Sequence, residues 1–161
     1  MSATATASSG GEILQLVSFH VDEEEFGLEI LRVQEIIRIQ PLTRVPASPA
    51  FVEGVINLRG RIIPVVSLRQ RFGLAPREPD KLTRIIVTEV SGTVLGFMVD
   101  AVSEVLRLPM STVEPPPRLG RVEREYVRGV ANLDNRLLIL LDIDRLMSEA
   151  EEEVCIETTQ A

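Results

Sequence analysis

The chain has 161 residues with 17 basic and 24 acidic side chains, a net charge of −7, 45% apolar residues, one His, one Cys and no Trp. This composition describes a globular domain rather than a disordered chain. It excludes a disulfide within the chain and a membrane-spanning helix, because the longest aliphatic run, Leu137 to Leu141, falls far short of the about 20 residues required.

Residues 1–11 lack the basic flank and apolar stretch of an export signal, so the expected address is cytoplasmic. From Ser148 onward there are five acids and no base, which leaves 19 acids against 17 bases before it and a nearly neutral body. Nucleic-acid binding through counterion release therefore has little to work with. Residues 1–11 read as a disordered arm, 12–149 as the folded domain and 150–161 as an acidic tail.

Within the folded part, apolar residues come in runs of strand length separated by Gly, Pro and charged turns, which predicts an all-β fold. In chain order the predicted strands are Ile13 to Phe19, Ile36 to Ile39, Gly54 to Leu58, Ile62 to Val66, Arg84 to Val90, Val94 to Val99, Val102 to Leu106, Val127 to Leu133 and Leu137 to Leu141. That makes about nine or ten strands. Asp22 to Glu25 reads as an acidic turn, and Glu29 to Arg38 as an edge strand, guarded by its charges or used for recognition. Ser67 with Gln70 predicts a capped short helix ended by Gly73, and Asp142 predicts a second. Ser91-Gly92 predicts a two-residue hairpin turn, because Gly supplies a positive φ.

An internal repeat organises these elements. Shifted by 75 positions, Glu53 to Phe72 lies on Arg128 to Met147, matching Gly54 with Gly129, Asn57 with Asn132 and Arg61 with Arg136, with the cap Ser67 on Asp142. Shifted by 69, Gly27 lies on Gly96, Val33 on Val102, Glu35 on Glu104 and Arg38 on Arg107. The difference of six is one loop insertion beside Pro115 to Pro117. The chain therefore reads as a duplication, with lobe-defining copies at about 13–73 and 82–147. Each copy is expected to close into a small barrel, and the two to pack together with a groove at their junction.

Catalytic equipment is missing from the pattern. His20 is the only imidazole, Cys155 lies among carboxylates that disfavour its thiolate, and no His/Cys set has metal-ligand spacing. Asp134, Asp142 and Asp144 are oxygen ligands in principle, but turn and capping chemistry accounts for Asp134 and Asp142. A binding module without cofactor or metal is the expectation. Arg59 stands out, because the duplicated turn carries Asp134 in its place, whereas Arg61 recurs as Arg136 and is expected to serve the fold.

Phe26 to Ile39 (FGLEILRVQEIIRI), Ser48 to Gly73 (SPAFVEGVINLRGRIIPVVSLRQRFG) and Tyr126 to Met147 (YVRGVANLDNRLLILLDIDRLM) strongly resemble the CheW-like domain family of bacterial chemotaxis coupling proteins. The resemblance covers about residues 13–148 and implies a pair of intertwined SH3-like five-stranded β-barrel lobes with short helices at the lobe ends. It implies a non-enzymatic adaptor that joins the cytoplasmic tip of a chemoreceptor to the regulatory domain of the histidine kinase CheA, recruited from the cytoplasm to membrane receptor arrays. Carried residue by residue, it points to Val33 and Glu35 in the VQEI stretch and Arg59 in the NLRG turn as coupling positions. Ile37, Val99 and Val102 are added as apolar neighbours in the groove. The same domain serves CheA itself, CheV and systems controlling pili or development. A stand-alone coupler is expected here, because the modules fused in the first two do not fit into 161 residues. The rival outside this family is a small β-barrel nucleic-acid binder.

Overall fold

The computed structural model describes residues 12–116 and 126–147. The N-terminal arm, the acidic tail with Cys155 and most of the loop insertion lie outside them. Among the described residues the strands are β1 (Ile13–Val21), β2 (Glu24–Glu29), β3 (Val33–Arg38), β4 (Val52–Leu58), β5 (Arg61–Ser67), β6 (Arg84–Val90), β7 (Thr93–Val99), β8 (Ala101–Pro109), β9 (Val113–Glu114), β10 (Val127–Leu133) and β11 (Arg136–Leu141). Helices α1 (Leu68–Arg71) and α2 (Ile143–Leu146) follow β5 and β11, and single 3-10 turns occupy Ile30–Arg32 and Met110–Thr112.

The strands form a six-stranded sheet, β8-β1-β2-β11-β10-β9, and a five-stranded sheet, β3-β6-β7-β5-β4. The copies read from the sequence are interleaved in space. The first copy gives β1 and β2 to the six-stranded sheet and β3 to β5 to the other, and the second copy does the reverse. The pairing is pseudo-symmetric to the residue. Val65 opposes Gly96 in the parallel β5–β7 pair as Leu140 opposes Gly27 in the parallel β11–β2 pair. Bulges recur at Val33/Glu35 on β3 and Val102/Glu104 in the β8–β1 pair, and again at Val52/Gly54 and Val127/Gly129. Each sheet rolls up. β8, at one edge, continues through Met110–Thr112 into β9 at the other, and beyond β3 the chain reaches β4 through the Thr43–Val55 bridge.

Three apolar cores follow from this roll. One lies inside the five-stranded sheet (Ile56, Ile63, Val65, Ile85, Val87) and one inside the six-stranded sheet (Leu16, Leu108, Ala131, Leu138, Leu140). The largest lies between the lobes, where Phe19, Phe26, Phe72 and Tyr126 stack in sequence with ring centroids 5.8, 5.2 and 6.4 Å apart. Alternate residues of one strand serve different cores: Leu138 and Leu140 face their own lobe, Ile139 and Leu141 the junction. That explains why β5, β6 and β11 carry consecutive apolar residues (Ile62-Ile63 and Val65-Val66, Ile85 to Val87, Leu137 to Leu141) instead of alternating ones.

Ser67 accepts from the Gln70 amide at 3.2 Å to cap α1, and Asp142 accepts from the Asp144 and Arg145 amides to cap α2. Ser91 and Gly92 turn β6 into β7 with φ of 50° and 83°. Two expectations need correction. The acidic run is only half turn: Asp22, with φ of 59°, and Glu23 make the reversal, and Glu24 and Glu25 already belong to β2. The stretch from Glu29 is not one edge strand, because Glu29 ends β2, the Ile30–Arg32 turn follows, and extension resumes only at Val33–Arg38.

Candidate partner-binding site

The Ile30–Arg32 turn carries the chain from the six-stranded sheet to the edge of the five-stranded one. Thr88 Oγ1 donates to the Arg32 carbonyl at 2.6 Å, satisfying a backbone group beside the bulge and fixing where β3 begins. The Arg32 guanidinium donates to both carboxylate oxygens of Asp144 on α2, at 2.7 and 2.9 Å, and to the Glu89 carbonyl at 3.0 Å. That hydrogen-bonded pairing holds the Asp144 carboxyl below the usual carboxylate range. The crossover is thus tied to both lobes.

On β3 the bulge inserts Gln34 between Val33, opposite Thr88, and Glu35, opposite Val87. Beyond it the exposed residues are Ile36 and Arg38, while Ile37 packs on the core of the five-stranded lobe and Val33 on the junction core. Glu35 meets Arg59. The β4–β5 turn holds Arg59 and Gly60 at φ of 51° and 84°, with the Gly60 amide bonded to Asn57 Oδ1 at 2.9 Å. This tight turn aims Arg59 across the seam, where Nη1 donates to Glu35 Oε2 at 3.1 Å and Nη2 pairs with Oε1. Arg59 holds the Glu35 carboxyl below its ordinary range, and Glu35 raises the Arg59 guanidinium in turn.

Four of the six nominated residues, Val33, Glu35, Ile37 and Arg59, therefore belong to one seam on the five-stranded lobe. Val102 is the counterpart of Val33, half-buried against the junction core but on β8, opposite Phe19. Val99, expected as an apolar neighbour in the groove, is 1% exposed and packs within that core at the end of β7. The expected role of Arg61 is also corrected. Arg136 does bind Glu104, at 2.8 Å, and Glu25. In the first copy it is Arg59, not Arg61, that takes the equivalent glutamate, because the positive-φ turn brings Arg59 over the seam.

Sequence reasoning missed the surroundings of the crossover. A cleft of about 270 Å³ lies between Leu28–Arg32 and α2, and a second of about 180 Å³ is lined by Ile13, Leu14, Ile30 and Leu31. Leu31 is 92% exposed. An unprotected leucine between a glutamate-led strand and an arginine was the available signal, obscured by reading the stretch as one strand. Asp142 and Asp144 are engaged in capping and ion pairing, and among the described residues no group of three His, Cys, Asp or Glu is placed to hold a metal.

The family model for the CheW-like domain matches residues 15–151. The chain belongs to the CheW-like domain family. Relatives within it include a probable chemotaxis protein CheW of Rhizobium etli, 38% identical over 140 residues that cover 86% of this chain and 90% of the relative. The chemotaxis protein CheW of Rhizobium meliloti is 37% identical, covering 91% and 94%. Among solved structures, the scaffolding protein TtCheW from Thermoanaerobacter tengcongensis superimposes with a TM-score of 0.79 at 38% identity, covering 85% of this chain and 94% of its own. The interleaved two-lobed architecture is thus that of a CheW-like domain, and the family ties the chain to chemotaxis signalling as an adaptor.

Proposed function

We propose that the chain couples methyl-accepting chemotaxis receptors to the histidine kinase CheA, binding the receptor tip and the kinase regulatory domain without catalysing a reaction. The supporting observation is the Glu35–Arg59 pair, which joins a glutamate on the edge strand β3 of a CheW-like lobe, beside Val33 and Ile37, to an exposed arginine of the β4–β5 turn. An edge strand with a bulge and a charged seam is suited to a side-on partner, because it offers orienting hydrogen bonds around apolar contacts. Coupling requires that a partner's contacts with this surface differ between its signalling states, so that binding shifts the kinase population.

The test is binding of a receptor cytoplasmic fragment and of the CheA regulatory domain to the wild type and to Arg59→Ala. Affinity for at least one partner should fall about tenfold, as for truncation of an interface arginine. The unfolding midpoint should move little, because an exposed ion pair contributes little to folding. Unchanged affinity for both partners, or a loss of binding that only tracks a loss of folding, would sink the proposal.

A further inference from the structure

The topology sorts the charge. Residues 30–99 hold the whole five-stranded sheet and carry ten bases against five acids. The remaining described residues, 12–29, 100–116 and 126–147, make the six-stranded lobe and carry four bases against twelve acids. A body that is nearly neutral along its length is therefore polar in space, with one lobe at +5 and the other at −8.

The polarity is sharpest at the seams. On the five-stranded lobe, Arg38 and Arg61 are exposed, and among the described residues neither guanidinium has a hydrogen-bond or ion-pair partner. Arg38 lies on β3 three residues beyond Glu35, and Arg61 opens β5 two residues beyond Arg59, each near an exposed isoleucine of its own strand, Ile36 and Ile62, which are 37% and 45% exposed. The pseudo-equivalent seam on the other lobe has the same apolar pair, Val105 and Leu137, 56% and 58% exposed. There Asp134 replaces Arg59, and Arg136 is neutralised by Glu104 and Glu25. The two seams share a frame and differ in sign.

We infer that the β3/β4–β5 seam, with Arg38 and Arg61 beside Ile36 and Ile62, docks a protein surface that is acidic around an apolar centre. Unpaired guanidinium groups on a lobe of matching sign attract a carboxylate-bearing surface and repel a basic one, which orients the encounter and speeds it. The inference rests on the coupling reading above and adds the chemistry of the partner face.

The test captures the full chain and follows the association rate of two probes, a receptor cytoplasmic fragment and the CheA regulatory domain, at about 0.05 and 0.3 M salt. For one of them the rate should fall about tenfold with salt. At low salt, Arg38→Glu/Arg61→Glu should slow it by a similar factor and Arg38→Gln/Arg61→Gln by less, whereas Arg107→Glu, the counterpart of Arg38 on the acidic lobe, should leave it unchanged. Binding with a rate indifferent to salt and to both double variants overturns the acidic partner and leaves the coupling reading intact. Failure of the wild type to bind either probe overturns both. Salt-sensitive self-association that Arg38→Glu/Arg61→Glu abolishes, with no such effect on either probe, overturns it in favour of the chain's own acidic lobe as the occupant.

Discussion

A Cβ placed on Gly54 would lie 2.5 Å from the Thr43 carbonyl oxygen, and one on Gly129 would lie 2.6 Å from Val113 Cγ1 and 2.9 Å from the Glu114 oxygen. Both glycines sit where the end of the roll crosses its neighbouring strand, and Gly54 also has φ of 151°. Gly54→Ala should therefore destabilise the protein on the order of 2–4 kcal/mol. Gly60→Ala has open space and only the φ of 84° against it, and should cost about 1 kcal/mol. Denaturant midpoints check this ordering; equal shifts would contradict it. These residues show what the sequence conveyed and what it withheld. The matched glycines announced the duplication, but the close approach that requires them depends on backbone far away in the chain. Likewise, Arg59 was legible as the odd member of a repeated turn, while its bond to Glu35 depended on a backbone conformation that no pattern of residue types specifies.

Among the elements, legibility followed burial. β5, β6 and β11 lie between two cores and so carry consecutive apolar residues in place of strict alternation, and the cap residues of α1 and α2 were explicit. β2 escaped because its first two residues are glutamates, and its place comes from parallel pairing with β11 at Phe26 and Gly27. The Ile30–Arg32 turn escaped because nothing in ILR forbids extension, and its bend is imposed by the crossing between sheets. One link between elements has a pH signature. Asp144 on α2 is paired with Arg32 at the crossover, and its folded-state pKa is lowered. A depressed carboxylate pKa adds stability that is full above the unfolded value of about 3.9 and disappears as the pH falls through the folded value. Wild type should exceed Asp144→Asn in stability near neutrality, by less than about 1 kcal/mol because the carboxylate is largely exposed. The gap should close in acid, and a gap that persists or widens there would show that the pair is not its source.

For the whole molecule, the junction core is the largest of the three, and the aromatic stack through it draws on both lobes. Phe26, 1% exposed, touches Phe19 on one side and Phe72 on the other. Phe26→Ala should remove about 3–5 kcal/mol. Because the junction belongs to both lobes, the loss should appear as one shifted transition by calorimetry and by fluorescence of Tyr126 alike. Two separated transitions would mean that the lobes fold independently. The spatial division of charge was the least accessible feature from the sequence, since its boundaries at residues 30 and 99 are set by strand pairing and not by composition.

Among the described residues the backbone passes from lobe to lobe only around Ile30–Arg32 and between β7 and β8, and these two places are pseudo-equivalent. Any tilt of one lobe against the other must be absorbed by torsions in those few residues. A ligand that grips Val33 holds the chain at one of these pivots, so its grip and the angle between the halves act on each other through a single stretch of peptide.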